Sequence, residues 1–535
     1  MSKPYPSRRS VVMGDGGAVA TSQPLASQAG LRALLQGGNA VDAAIAANAA
    51  LNVVEPMSNG LGGDLFALIY WARDRRVYGL NASGRAPWAA TLEALHKRGR
   101  DARNGMPMHG ILPVTVPGEP AGWADLHARF GTLPWERVLA PAIAYAQDGY
   151  PVSEIIAGEW QGAADLLRRD AETARVYLPN GRAPRAGERF VNPDLAASLR
   201  ALAADGPAAF YRGRIAEAIA AASARRKGLL TLEDLAAHTS TWVEPISTLY
   251  RGHRVYEIPP NGQGIAALIA LNLLGGYDVS ARAFDSAEAF HVKMEAIKLG
   301  MTDAARYVAD PAMADVPVAG LLSSAYADAR RALICEERAI ALPEAGLPPT
   351  SPDTVYLCAA DAEGNACSLI SSLYHGFGSG VVPEGVGYAL QNRGNLFSLD
   401  PEHPNCIAPH KRPYHTIIPC IVTHDDALAI CYGVMGGFMQ PQGHLQVLSN
   451  ILDHGMDPQR ALDAPRFYYQ GKDRFLIERG LAGATYAGLR ARGHALSRRN
   501  SSGLFGGGQV IMVDPASGAL LAGSDPRKDG CAVAY

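Results

Sequence analysis

Residues 351–380 read SPDTVYLCAADAEGNACSLISSLYHGFGSG. A turn at SPD is followed by a β-branched apolar run, a second turn at EGNA, another apolar run and a glycine-rich loop. That is the signature of a hairpin inside a long chain. Its first strand begins with Thr354. A threonine in a strand is ordinarily structural. It becomes chemically interesting if the chain is cut before it, because a free α-amine with a pKa near 8 can serve as base for its own hydroxyl.

Outward from the hairpin, the texture differs on its two sides. Residues 22–54 predict two helices, the first with a Ser/Gln start and a Gly37-Gly38 stop, the second opened by Asn39 as N-cap. The second is alanine and aliphatic around most of its circumference, so it should lie between two other layers. NGLGGDLFALIYW (59–71) reads as a glycine turn, or backbone lining a pocket, followed by a strand. Residues 115–340 read as mainly helical, with AFHVKMEAIKLGMTDAARYVAD (289–310) the longest stretch. After about residue 345 the chain becomes β-rich, interrupted by two short helices within 443–467, and it closes on strands. The order suggests one layered unit with helices outside sheets.

Composition narrows the function classes. The chain has 535 residues, 48% of them hydrophobic and 19% charged, with a formal net charge of −2. That is a globular composition without the basic surplus that nucleic acid requires. No apolar run is long enough to span a bilayer, so no membrane partner is expected. The seven cysteines form no CxxC pair and read as reduced thiols. With no apolar segment after the basic residues of MSKPYPSRRSVVMGDGG, the expected location is cytoplasmic. Neither HExxH nor a Cys/His cluster at ligand spacing occurs, and His403, His410 and His415 stand near one another without regular spacing. No metal and no organic cofactor are expected. GFGSG (376–380) lacks a phosphate-loop pattern, and no GxSxG turn is present.

Several ordered blocks resemble the γ-glutamyltransferase (glutathione hydrolase) family of N-terminal-nucleophile hydrolases. They are QGGNAVDAAIAANAALNVVEPMSNGLGGD (36–64), DTVYLCAADAEGNACSLISSLYHGFGSGVV (353–382), YGVMGGFMQPQGHLQVLSNILDHGMDPQRALDAPRF (432–467) and GSDPRKDGCAVAY (523–535). The resemblance implies an α/β fold of the four-layer αββα sandwich type. It implies self-cleavage between Asp353 and Thr354, giving a large subunit of residues 1–353 and a small one of 354–535 from one precursor. Two such heterodimers could pair as a homodimer. Thr354 would be the nucleophile, Ser372, eighteen residues on, a second hydroxyl beside it, and Gly436 and Gly437 the oxyanion-hole pair.

The departures from the family fall in the substrate pocket. Where family members hold an α-amino group with Asn, Gln and Asp, this chain has Tyr374, Arg393 and Leu396. The family's paired serines are His415 and Thr416 here, and its carboxylate-binding arginine aligns with Ser83, two residues from Arg85. An arginine suits a carboxylate and not an ammonium. The expected site is therefore Arg393, Tyr374, His415 and Thr416, with Arg85 a further candidate, holding a small carboxylate-bearing amide of the oxamate kind. A γ-glutamyl hydrolase or transferase acting on glutathione, an acylase with a larger acyl group, and an unprocessed scaffold are the competing expectations. A short linker between LFSLDPEHPN and KRPYHT suggests an open site.

Overall fold

The computed structural model describes residues 9–341, 353–500 and 502–535. The predicted SPD turn lies mostly outside them, as does the start of the chain. Two seven-stranded sheets, antiparallel throughout, lie face to face. In the first, the strands Asp353–Asp361 and Ala366–Tyr374 form the predicted hairpin, flanked by Gly17–Thr21 on one side and Asp64–Trp71 on the other. In the second, Ala427–Met435 is central, between Cys420–His424 and Gly507–Val513.

The inner faces make one core. Phe66, Tyr356, Cys358 and Ile370 from the first sheet meet Ile421, Cys431 and Ile511 from the second. Each outer face carries its own helical layer. Pro24–Leu35 and Ala40–Val54 cover the first sheet, and Gly264–Leu274, Ala287–Tyr307 and Met439–Leu452 cover the second. The result is the expected four-layer αββα arrangement.

The helix Ala40–Val54 shows why composition dictates position. Asn39 caps it, accepting from Val41 N–H and Asp42 N–H, and Asp42 Oδ2 accepts in return from Asn39 N–H at 3.1 Å. All fifteen of its residues are buried, between the sheet and the helices Pro24–Leu35 and Trp135–Asp148. A helix with no polar face has no other place to go.

Four elements differ from expectation. Thr241–Val243, Ile246–Tyr250 and His253–Glu257 are strands inside the stretch read as helical. The first is the edge of one sheet and the second the edge of the other. Their half-exposed polar residues give no clean alternation. Met439–Leu452 begins earlier and runs longer than a short helix, directly after the Gly436-Gly437 turn. Thr354 is buried, 1% exposed, where the short linker suggests an open site.

Candidate active site

Thr354 is the second residue of its strand, and the pairing with Ala366–Tyr374 is irregular between Asp353 and Val355. Its Oγ1 lies 3.1 Å from Ser372 Oγ, and that oxygen also accepts Tyr374 N–H at 2.8 Å. Both hydroxyls are buried. Continued by one residue, the register of the hairpin, Val355 with Ser371, sets Thr354 opposite Ser372 and brings the two hydroxyls together.

The second sheet supplies the glycines. A Cβ on Gly433 would stand 2.5 Å from the Tyr356 ring, and Cys358 interacts with Cys431. The two strands therefore run past each other in opposite senses. Stepping back from Tyr356 to Thr354 means stepping forward from Gly433 to the Gly436-Gly437 turn. Gly436 and Gly437 have φ of +115° and +56°, in the region where a side chain is strained. Their carbonyls cap the helix Met439–Leu452, accepting Met439 N–H at 3.0 Å and Gln440 N–H at 3.1 Å. The turn thus sits at a helix N-terminus, where N–H dipoles favour negative charge.

Beyond Ser372 the polarity changes. Tyr374 has φ +82°, strained for a bulky residue, and its ring lies 4.6 Å beneath the Arg393 guanidinium. Arg393 is wholly buried. Its Nη1 donates to Thr416 Oγ1 at 2.6 Å, while Nε and Nη2 have no partner among the described residues. Burial lowers its pKa to about 10, with Asp64 opposing the shift. His415 Nε2 is 3.0 Å from Asp64 Oδ2, and burial followed by Arg393 pushes its pKa down to about 3. Tyr374, Arg393, His415 and Thr416 are thus brought together. Gln263 ties this group to the glycine turn, its Nε2 donating to Thr416 O at 2.7 Å and to Gly437 O at 2.8 Å.

Arg85 is placed elsewhere. It is half-buried, its Nη1 directed at Thr239 O, with Asp310 and Arg412 as its charged neighbours. Ser83 donates to Asn81 Oδ1 at 2.7 Å, and its carbonyl accepts Arg412 Nε at 3.0 Å. Leu396 is half-buried against the helical layer over the second sheet. The side chain of Asp353 lies outside the described residues.

Sequence reading passed over three residues. Asp64 and Gln391 join the Arg393 group, Gln391 Nε2 donating to Asp64 Oδ1 at 2.9 Å. His375, whose ring is 4.4 Å from Tyr374, is driven to a pKa of about 3, first by burial. The signal for Asp64 was its place after GLGG. The glycines there allow close approach, since a Cβ on Gly63 would stand 2.7 Å from Ser372 O.

Two buried groups, Glu257–Cys420–His444 and His291–Glu295–His494, hold possible metal-ligand atoms within 4.8 Å of one another. Each is already committed internally, His444 Nδ1 to Glu257 Oε1 at 2.7 Å and Lys298 Nζ to Glu295 Oε1 at 2.6 Å. The first joins the second sheet to the helix Met439–Leu452, and the second lies against the helix Ala287–Tyr307.

Comparison with known proteins agrees with this architecture. The family profile described as Gamma-glutamyltranspeptidase matches residues 26–535. A glutathione hydrolase-like YwrD proenzyme of Bacillus subtilis is 39% identical over 98% of this chain and 99% of its own. An oxamate amidohydrolase proenzyme of Klebsiella pneumoniae is 36% identical over 96% of this chain and 97% of its own. The crystal structure of a cephalosporin acylase from Bacillus halodurans superposes with a TM-score of 0.93 at 47% identity, covering 100% of this chain and 98% of that one.

Proposed function

Because the chain belongs to the gamma-glutamyltranspeptidase family, we propose that it is a self-processing threonine amidohydrolase whose substrate is a small amide with a carboxylate on its acyl side. It is an amidohydrolase of the N-terminal-nucleophile type, and its relatives are proenzymes. In this reading the chain is cut between Asp353 and Thr354. The new α-amine takes the proton as Thr354 Oγ1 attacks the amide carbonyl. Ser372 Oγ, 3.1 Å away, holds the attacking hydroxyl in line. The Gly436 and Gly437 N–H groups receive the oxyanion, an effect of about 3 kcal/mol for one such donor. The amine leaves, and water releases the acyl group.

The observation that carries the substrate assignment is the Arg393 guanidinium, buried with Nε and Nη2 unpartnered among the described residues. Asp64 offsets part of the cost of burying this cation, but donors left unspent in the interior still cost free energy until acceptors meet them. A bidentate carboxylate fits the two free N–H groups. The Tyr374 ring beneath Arg393 is two strand residues from Ser372, about 7 Å at the usual strand rise. An acyl chain of a few carbons spans that gap. Oxamate is the shortest carboxylate-bearing amide, and an acylase relative extends the class towards longer acyl groups.

The test is a panel of amides assayed on the cut protein: oxamate, the p-nitroanilides of succinic and glutaric acid, and γ-glutamyl p-nitroanilide. The expected result is kcat/KM at least tenfold higher for a member without an α-amine. Preference for the γ-glutamyl compound would return the chain to glutathione-type chemistry.

A further inference from the structure

Asp64 opens the strand Asp64–Trp71 and pairs across the sheet with Ser372, so it stands between the hydroxyl pair and Arg393. Its carboxylate is fully buried and carries three donors. Gly84 N–H and Gln391 Nε2 reach Oδ1 at 2.8 Å and 2.9 Å, and His415 Nε2 reaches Oδ2 at 3.0 Å. The far side of the imidazole fixes the direction of that last bond. Ile417 N–H donates to His415 Nδ1 at 3.3 Å, so Nδ1 holds the lone pair and Nε2 holds the proton. His415 is therefore a neutral donor and Asp64 the anion. Burial works against the Asp64 charge, but the hydrogen bond from His415, the Arg393 charge and the Gly84 N–H outweigh it and hold its pKa below the usual carboxylate range. The next residue after His415 is Thr416, whose hydroxyl takes Arg393 Nη1.

We propose that Asp64 is the positioning residue of the carboxylate pocket: it fixes His415 in one tautomer and, through the His415–Thr416 step, holds Arg393 with Nε and Nη2 turned to the substrate. The inference rests on the carboxylate reading above and narrows it. Asp64 is the anion beside Arg393, and three donors already occupy it. A substrate ammonium next to the carboxylate would compete with those three donors for the last lone pair of Asp64 and would lie beside the Arg393 cation. The pocket takes monoamides of short dicarboxylic acids and disfavours γ-glutamyl groups.

Asp64→Asn tests this with little change of shape. Its amide oxygen can keep Gly84 and Gln391, but its NH2 then faces the His415 Nε2–H, and Ile417 N–H bars the other tautomer. Intact mass first shows whether the variant is folded and cut. Calorimetry then measures succinate, glutarate and L-glutamate on wild type and variant. Wild type should bind glutarate or succinate at least tenfold more tightly than glutamate, and the variant should lose at least tenfold in that affinity while kcat falls less than KM rises. Equal dicarboxylate affinity in the two proteins overturns the role of Asp64 and leaves the carboxylate reading standing. No dicarboxylate binding to wild type overturns both. Should the variant not fold, 15N NMR of histidine in wild type decides, the signal assigned by its loss in His415→Phe. A neutral Nε2–H ring down to pH 5 is expected, and an Nδ1–H ring or an imidazolium overturns the proposal.

Discussion

At the Thr354 end of the site the working atoms are two hydroxyls and, in the reading proposed, two backbone amides. At the Arg393 end they are a guanidinium, an imidazole and a carboxylate drawn from segments up to 351 residues apart. The first end is made by backbone geometry: a hairpin register that sets Thr354 opposite Ser372, and a glycine turn with positive φ. The second is made by charge held out of water, where each group depends on the others to stay satisfied. One end is suited to a fixed reaction and the other to a changeable substrate, because a single substitution in a buried charge network alters what it accepts.

The most damaging way to separate the two ends is through the glycine turn. Gly436→Ala forces a side chain into φ +115° and puts its Cβ 3.0 Å from Gly506 Cα. Turnover is expected to fall by about 10²- to 10³-fold with every substrate, in proportion to a lost oxyanion donor. A drop confined to one substrate would place the turn in recognition instead. Arg393→Ala should come next and behave oppositely. KM for a carboxylate-bearing amide is expected to rise by about 10²-fold, with self-cleavage intact. A rise below threefold would remove Arg393 from the pocket. Ser372→Ala deletes one hydrogen bond to Thr354 and is expected to slow turnover about tenfold, leaving KM nearly unchanged.

The smallest effect on activity is expected at a third buried group, Glu55, which accepts Ser22 and Ser58 hydroxyls behind the nucleophile strand. Ser58 O in turn accepts Leu373 N–H at 3.1 Å. Burial raises the Glu55 pKa to about 7, with Lys528 opposing and Glu159 assisting. A carboxyl raised in the folded state contributes stability below its unfolded pKa of 4.5 and loses it as pH rises through about 7. Glu55→Gln should therefore lie above wild type in stability at pH 8, by about 3 kcal/mol at most, with no advantage at pH 4.5. Unfolding midpoints at the two pH values check this, and a pH-independent difference would contradict it.

The two ends also differ in how readable they were. Thr354, Ser372 and the glycine pair stand inside contiguous blocks whose pattern carries over residue by residue. The hairpin and the helix Ala40–Val54 follow from local periodicity and capping. Arg393, His415, Thr416 and Tyr374 were visible as departures from that pattern, and the structure brings all four together. Asp64 was not visible, because GLGGD reads as a turn and its partners Gly84, Gln391 and His415 come from distant segments. Arg85 was favoured by nearness in sequence to an aligned position, but its side chain turns towards Thr239 and Arg412. The strands within 241–257 escaped because edge strands with polar, half-exposed residues carry little alternation.

Whether Thr354 is both cut site and nucleophile is decided by intact mass and denaturing electrophoresis of the purified wild type beside Thr354→Ala. Two fragments in the wild type, the smaller beginning at Thr354, and one uncut, inactive chain in the variant are the expected result. A wild type that turns over amides as a single uncut chain would contradict the account, since Thr354 would then have no α-amine to act as its base.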